Sequence, residues 1–354
     1  MPAAGAFTVG SGGDYATWQA AMASVVVPLT GNLTYTQISD TTETAVATLA
    51  GGDCGVFTLR LNTNNAPGGD PTAGWKININ HTGDTFWLVT NLGAGDTFTI
   101  VIEDLFFNAV GGASGTQSAI NMNALGNLAG TVNMTVERCM CDGNGSMGCF
   151  FEAANGRGVG TRILRNNKIW AINSTSTRAV FDANVGGTNQ GTGYTIAGNT
   201  VYDGGQYGCE EWQAGILTMV DNAMFNSSVR CIGTTVDISS GGNATSDTTG
   251  NSGLRNLVSS TVFDSLSDGN SDFLKIGSYQ RVGNTNVAPT AGSAPLVVNF
   301  SATVTQIGGD NPLQTDGVAT TTLTEDIEGN ARPGNDSNYS IGCHEVDLQC
   351  QLGA

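Results

Sequence analysis

Acidic side chains are the first place to look for chemistry in this chain. Cleaving a glycosidic bond takes two carboxyl groups, one held protonated and the other ionised. In "GCEEWQAG" Glu210 and Glu211 stand beside Trp212, whose ring can stack on a sugar. As strand neighbours the two carboxylates face opposite ways, and the alternative is a solvated loop. Asp203 and Asp221 are further loop carboxylates that a groove on an outer face can recruit together with Glu210. The stretch "DSLSDGNSD" gathers Asp264, Asp268, Asn270 and Asp272 around a glycine, as a calcium loop does, but misses the D-x-D-x-D-G spacing. Calcium is the only cofactor suggested. His81 and His344 have no obvious catalytic companion and are read as structural.

The eight cysteines (54, 139, 141, 149, 209, 231, 343 and 350) show no zinc spacing and are too sparse in 354 residues to define a disulfide scaffold. The balance of 13 basic against 30 acidic residues, net −17, leaves no basic stripe for a phosphate backbone, so nucleic acid is not an expected partner. No run approaches the roughly 18 apolar residues of a membrane span. The opening "MPAAGAFTVGSGG" lacks the basic and continuous apolar regions of a secretory signal. Charged residues make up only 12% and glycine supplies 50, which favours strands joined by many turns.

A repeat must position these residues. "IEDLFFN", "VERCMCD", "LRNNKIW", "IAGNTVY" and "MVDNAMF" share one pattern, whose fourth place holds Leu105, Cys139, Asn167, Asn199 and Asn222. A degenerate copy adds Asn243. By subtraction the intervals are 34, 28, 32, 23 and 21 residues. Short strands recurring at such intervals, with no helical pattern between them, indicate a solenoid. Stacked strands lie about 4.8 Å apart, so Asn167, Asn199, Asn222 and Asn243 are expected to bond up the stack as an amide ladder; ordinary turn asparagines are the alternative. In the same register Glu103 and Glu137 share a column with Arg165, and Asp104 faces Arg138, as a neutralised surface ladder. Cys139 and Cys141 fall at inward places. Cys209 falls over Cys231, close enough for a disulfide, with unpaired packing as the alternative; Cys343 and Cys350 can close a terminal loop or bond to a neighbouring chain.

The expected architecture is all-β: a right-handed parallel β-helix over 33–277, a capping segment over 1–32 and a closing region over 278–354. Asp14 is expected to cap a short helix bearing Tyr15, Trp18, Met22 and Val25 on one face.

"VGSGGDYATWQAAM" resembles the opening of right-handed parallel β-helix proteins of the pectin-lyase-like superfamily, and the asparagine column resembles that superfamily's internal ladder. The tail "EDIEGNARPGNDSNYSIGCHEV" is similar to the ending of many such β-helices at Asp326, Gly329, Arg332, Ile341, Gly342 and Glu345, while Glu328, Ser340 and Cys343 depart from it. The fold hosts lyases, hydrolases, esterases, phage tailspikes and adhesins alike. The lyase R-x-P-x-x-R stretch, the polygalacturonase carboxylate set and the methylesterase motifs are all missing. With those motifs missing, the resemblance implies a non-enzymatic structural or surface-binding bacteriophage virion component, a tail appendage, fibre or capsid decoration; an exported adhesin of the same fold is one alternative. Other surface proteins and host glycans would be its partners, and a homo-oligomer, a trimer for instance, its form. A polysaccharide depolymerase is the other.

Overall fold

The computed structural model describes residues 3–50, 53–89, 92, 95–111, 115–123, 130–153, 160–183, 193–211, 217–252, 254–275, 325–330 and 341–343. The described chain is a parallel β-solenoid. Its first sheet stacks eight strands: Gly5–Val9, Leu33–Gln37, Leu59–Thr63, Thr97–Glu103, Thr131–Glu137, Arg162–Arg165, Tyr194–Ala197 and Leu217–Val220. The second, also eight-stranded, runs from Thr41–Glu43 to Ala244–Thr245. A seven-stranded third sheet runs from Ala47–Ala50 to Arg230–Ile232. From Leu33 onward the chain visits the three sheets in that order and then begins the next coil.

Register explains the packing. Ile102, Val136, Leu164, Ile196 and Met219 stack in the first sheet, and Phe107, Cys141, Ile169, Val201 and Met224 in the second. All are buried in one core, which apolar residues one coil apart build as continuous columns. Between these two sheets the chain makes a tight turn through Asp104, Arg138, Asn166, Gly198 and Asp221, each at positive φ. Gly242 repeats it at φ 71, and there a Cβ would strike Asp221 Oδ1.

The next residue of each turn carries the inner amide column. Asn167 Nδ2 donates to Asn199 Oδ1 at 2.9 Å, Asn199 Nδ2 to Asn222 Oδ1 at 2.9 Å, and Asn222 Nδ2 to Asn243 Oδ1 at 3.0 Å. Each Oδ1 also accepts the backbone N–H of the preceding rung. Every rung is fully buried, so the column satisfies turn backbone that water cannot reach.

At the start of the stack a helix, Trp18–Ser24, covers the core with Trp18 and Met22 buried. Its cap is Thr17, whose side chain accepts from Ala20 N. The expectation that Asp14 caps it is corrected: Asp14 Oδ2 accepts instead from Thr8 N at 2.8 Å and Thr8 Oγ1 at 2.9 Å. Tyr15 bridges to Val9, so the chain is still extended where the helix was expected to begin. Fully buried Glu43 bonds the backbone N–H of Trp18 and Gln19, tying the helix to the second sheet.

After Thr245 the described chain leaves the coils and lies along the second sheet. Phe225 meets Phe263 at 5.1 Å, and Trp170 meets Phe273 at 5.2 Å between ring centroids. Ile327, Ile341 and Cys343 join the same apolar cluster with Phe106 and Met140. Polar ties fasten this strap: Cys343 N donates to Thr200 Oγ1, Gly342 N to Asp221 O, and Asn166 Nδ2 to Glu325 O. Lys168 is buried beneath it and donates to Gly69 O at 2.6 Å and Phe273 O at 2.5 Å. No helix among the described residues is long and apolar enough to cross a membrane.

Candidate functional site

Strand ends of the third sheet repeat a pair of apolar residues followed by a polar one: Ala119-Ile120-Asn121, Phe150-Phe151-Glu152, Val180-Phe181-Asp182 and Gly208-Cys209-Glu210. Ile120, Phe151, Phe181 and Cys209 stack into the core. The residue after each stacks as well, so Asn121, Glu152, Asp182 and Glu210 form one polar column with a rung about every 4.8 Å. Asn121 is 6% exposed, Glu152 4% and Asp182 6%, while Glu210 is half-buried.

Glu152 Oε2 accepts from Ser118 Oγ at 2.8 Å and Asn121 Nδ2 at 2.9 Å, and pairs with Arg178. Asp84 bonds the same group from the other side, through Ser118 N at 2.8 Å and Asn121 Nδ2 at 2.9 Å. Desolvation raises the Glu152 pKa, with Arg178 and Ser118 acting against it. Asp182 is pushed further, to about 7, first by burial and then by the neighbouring Glu152 charge. Glu210 is also raised by burial, opposed by Arg230. Two acceptor atoms of the column, Asn121 Oδ1 and Asp182 Oδ1, are buried without a hydrogen-bond partner. The arrangement offers a carboxyl that keeps its proton to neutral pH beside a carboxylate paired with an arginine.

The three carboxylates singled out from the sequence do not meet. Glu210 belongs to the column. Asp203 is exposed in the second-sheet strand Thr200–Gly204, its pKa raised by partial burial against a bond from Asn226. Asp221 is buried in the turn between the first and second sheets, where its carbonyl accepts from Gly342. Glu211 is buried and accepts from Leu217 N at 2.6 Å, a structural role; Trp212 lies outside the described residues.

Cys209 and Cys231 are not bonded. Cys209 pairs in register with Ile232, one residue beyond Cys231, and both thiols are free and buried. Cys209 stands 10 residues after Asn199 and Cys231 only 9 after Asn222, and that one-residue difference is the offset seen in the register. Cys343 is buried, with its backbone N–H bonded to Thr200 Oγ1, and Cys350 lies outside the described residues. Among the described residues no group of three or more His, Cys, Asp or Glu side chains is placed to hold a metal. Asp264, Asp268 and Asp272 accordingly do not converge; Asp272 turns to Lys275 at 3.9 Å. His81 accepts from Gly83 N at 3.2 Å, and burial lowers its pKa; His344 lies outside the described residues.

The first-sheet charges do form a network. Arg138 Nε reaches Asp104 at 2.9 Å, and its guanidinium meets Glu103 and Glu137, each at 3.3 Å. Arg165 pairs with Glu137 at 2.6 Å, so opposite charges offset one another along that edge.

Sequence reasoning passed over Asp84, Asn121, Glu152, Arg178 and Asp182, although the repeated apolar-apolar-polar triplet could have found three of them. Comparison of the chain with family models, with curated proteins and with solved structures finds no match.

Proposed function

We propose that the chain is a rigid, non-enzymatic solenoid displayed on a surface, as a tail appendage, fibre or capsid decoration of a bacteriophage particle. The carrying observation is the unbroken stack of three parallel sheets from Gly5 to Thr245, backed by one core and a buried amide column. Such a rod bends little, because each coil is bonded on both sides to its neighbours. The likeness of its opening and its asparagine column to pectin-lyase-like β-helices supports the same reading, as do outer strand positions rich in Thr and Asn. Its partners would be other particle or surface proteins and a host glycan, and its form a homo-oligomer such as a trimer. Mass spectrometry of purified particles and of secreted fractions tests this. Recovery in neither fraction, or a concentration-independent monomer in light scattering, counts against it.

One observation favours a second reading, a polysaccharide depolymerase. Asp182, holding its proton to about pH 7, stands one coil from Glu152, which is paired with Arg178. Two carboxyls so divided can serve as acid and partner in glycoside hydrolysis. Release of new reducing ends from a capsule panel, lost in a folded Asp182→Asn variant, would establish this reading; no release from any capsule would remove it.

A further inference from the structure

We propose that the Asp70–Pro71 bond cleaves itself, leaving the chain in two pieces that stay assembled as one solenoid. The cut is independent of the surface role and of the depolymerase reading.

The bond lies in the loop that joins the first-sheet strand Leu59–Thr63 to the second-sheet strand Lys76–Ile79, and it is the single Asp–Pro pair in the sequence. An ordinary peptide bond resists hydrolysis because its nitrogen shares electrons with the carbonyl. Asp–Pro is less protected. The aspartate brings a nucleophilic carboxyl of its own, and the tertiary nitrogen of proline is readily protonated as a leaving group.

The turn holds the reacting groups together. Asp70 Oδ1 accepts from Thr72 N at 2.8 Å and from Thr72 Oγ1 at 2.6 Å. Thr72 lies beyond the bond, so these contacts fold the carboxyl across it. Ala73 N donates to the Asp70 carbonyl oxygen at 3.1 Å, where negative charge gathers once that carbon is attacked. Asp70 N is tied back to Pro67 O at 2.9 Å, and a Cβ at Gly74 would meet Pro67 at 2.7 Å, so the loop closes tightly on itself. Asp70 is half-buried and Thr72 exposed, which leaves the turn open to water.

The step balances without a cofactor. An oxygen of the protonated Asp70 side chain attacks the Asp70 main-chain carbonyl carbon and forms a cyclic anhydride. The bond from that carbon to Pro71 N breaks, and the carboxyl proton passes to the nitrogen. One water opens the anhydride, which restores the side chain and leaves a new α-carboxyl on Asp70.

Lys168 gives the cut a reason to persist. Its ammonium is fully buried and bonds two neutral carbonyls, Gly69 O at 2.6 Å and Phe273 O at 2.5 Å. Asp70 faces it from the loop, Lys275 from the strap and Glu328 from the closing region, with the Cys343 thiol beside it. A buried ammonium held by dipoles alone is costly. Cleavage puts a carboxylate on Asp70, one residue from the carbonyl that Lys168 already holds. Both flanking strands keep their neighbours: Leu59–Thr63 lies between Leu33–Gln37 and Thr97–Glu103, and Lys76–Ile79 between Thr41–Glu43 and Phe106–Ala109.

Mass spectrometry of the full chain, kept folded at pH 4, tests the proposal. Denatured samples should yield one fragment ending at Asp70 and one beginning at Pro71, while the native particle gains only one water per chain. The rate should be about tenfold or more above that of the same chain in urea, because only the folded turn holds the carboxyl over the bond. It should fall toward pH 7, where the attacking carboxyl has lost its proton, and Asp70→Ala and Pro71→Ala should each stop it. In the nicked protein the Lys168 pKa, held at about 8 by burial, should return toward 10.5. An intact chain at pH 4, a rate no higher than in urea, equal cutting in Pro71→Ala, or separation of the two pieces under native conditions overturns the proposal. An unchanged Lys168 pKa after the cut overturns the part given to that residue.

Discussion

Replacing Asp182 by Asn should stabilise the protein at pH 8 and do little at pH 4. Burial beside Glu152 raises the Asp182 pKa from 3.8 to about 7. Between those values the native state holds a proton that the unfolded chain has released, so stability falls as pH rises through this window and is level above it. At 1.36 kcal/mol per pK unit the accumulated cost above pH 7 is on the order of 4 kcal/mol. Asparagine keeps the shape and cannot ionise, so the variant escapes the cost. With a melting entropy of about 2.1 cal/mol/K per residue over the whole chain, the difference corresponds to about 5 °C. Because Glu152 and Glu210 titrate in the same column, part of the rise will be spread over the three carboxyls. Circular-dichroism melts of both proteins at half-unit steps from pH 4 to 8 would measure it. A difference in melting temperature that stays constant across that range, or grows toward acid, would refute both the burial argument and the assignment of the proton.

Asn199→Leu removes a donor to Asn222 Oδ1 and Leu164 O and an acceptor for Asn167 N, leaving buried groups unpaired. A loss of about 3–5 kcal/mol is expected, and an unchanged melting temperature would contradict the structural role of the amide column. Lys168 titrates in the opposite sense. Complete burial lowers its pKa from 10.5 to about 8, so the native state gives up its proton first and stability should rise between about pH 8 and 10.5. Lys168→Met should abolish that rise, worth about 3 kcal/mol, in urea unfolding at pH 8 and 10.5; parallel slopes for the two proteins would show that the amine is not desolvated.

The first two sheets were legible because their connection keeps its length. One left-handed residue separates the last first-sheet position from Asn167, Asn199 or Asn222, so apolar spacing and the repeated asparagine survive in one register. The polar column was not legible by that count. The turns into the third sheet differ in length, as at 173–178 against 205–206, which hid the common register of Glu152, Asp182 and Glu210. Burial was hidden for a different reason. An aspartate following a phenylalanine carries no mark of a depressed or raised acidity, which comes only from the neighbouring coils. The helix cap was displaced because Tyr15 keeps a strand bridge to Val9, and a strand contact outside the repeat leaves no periodic signal.

The strap along the second sheet also bears on how such a protein can change its length. Solenoids lengthen readily by duplicating a coil, since each unit touches only its neighbours. Here Glu325 is tied to Asn166 and Cys343 to Thr200, residues one coil apart in the stack. A coil duplicated between those anchors would move them about 4.8 Å further apart while the chain that joins them stayed the same. A duplication before Asn166 or after the last anchor leaves that span alone. The strap therefore gauges one step late in the stack, and variation in coil number should fall outside that step, chiefly among the coils before Asn166.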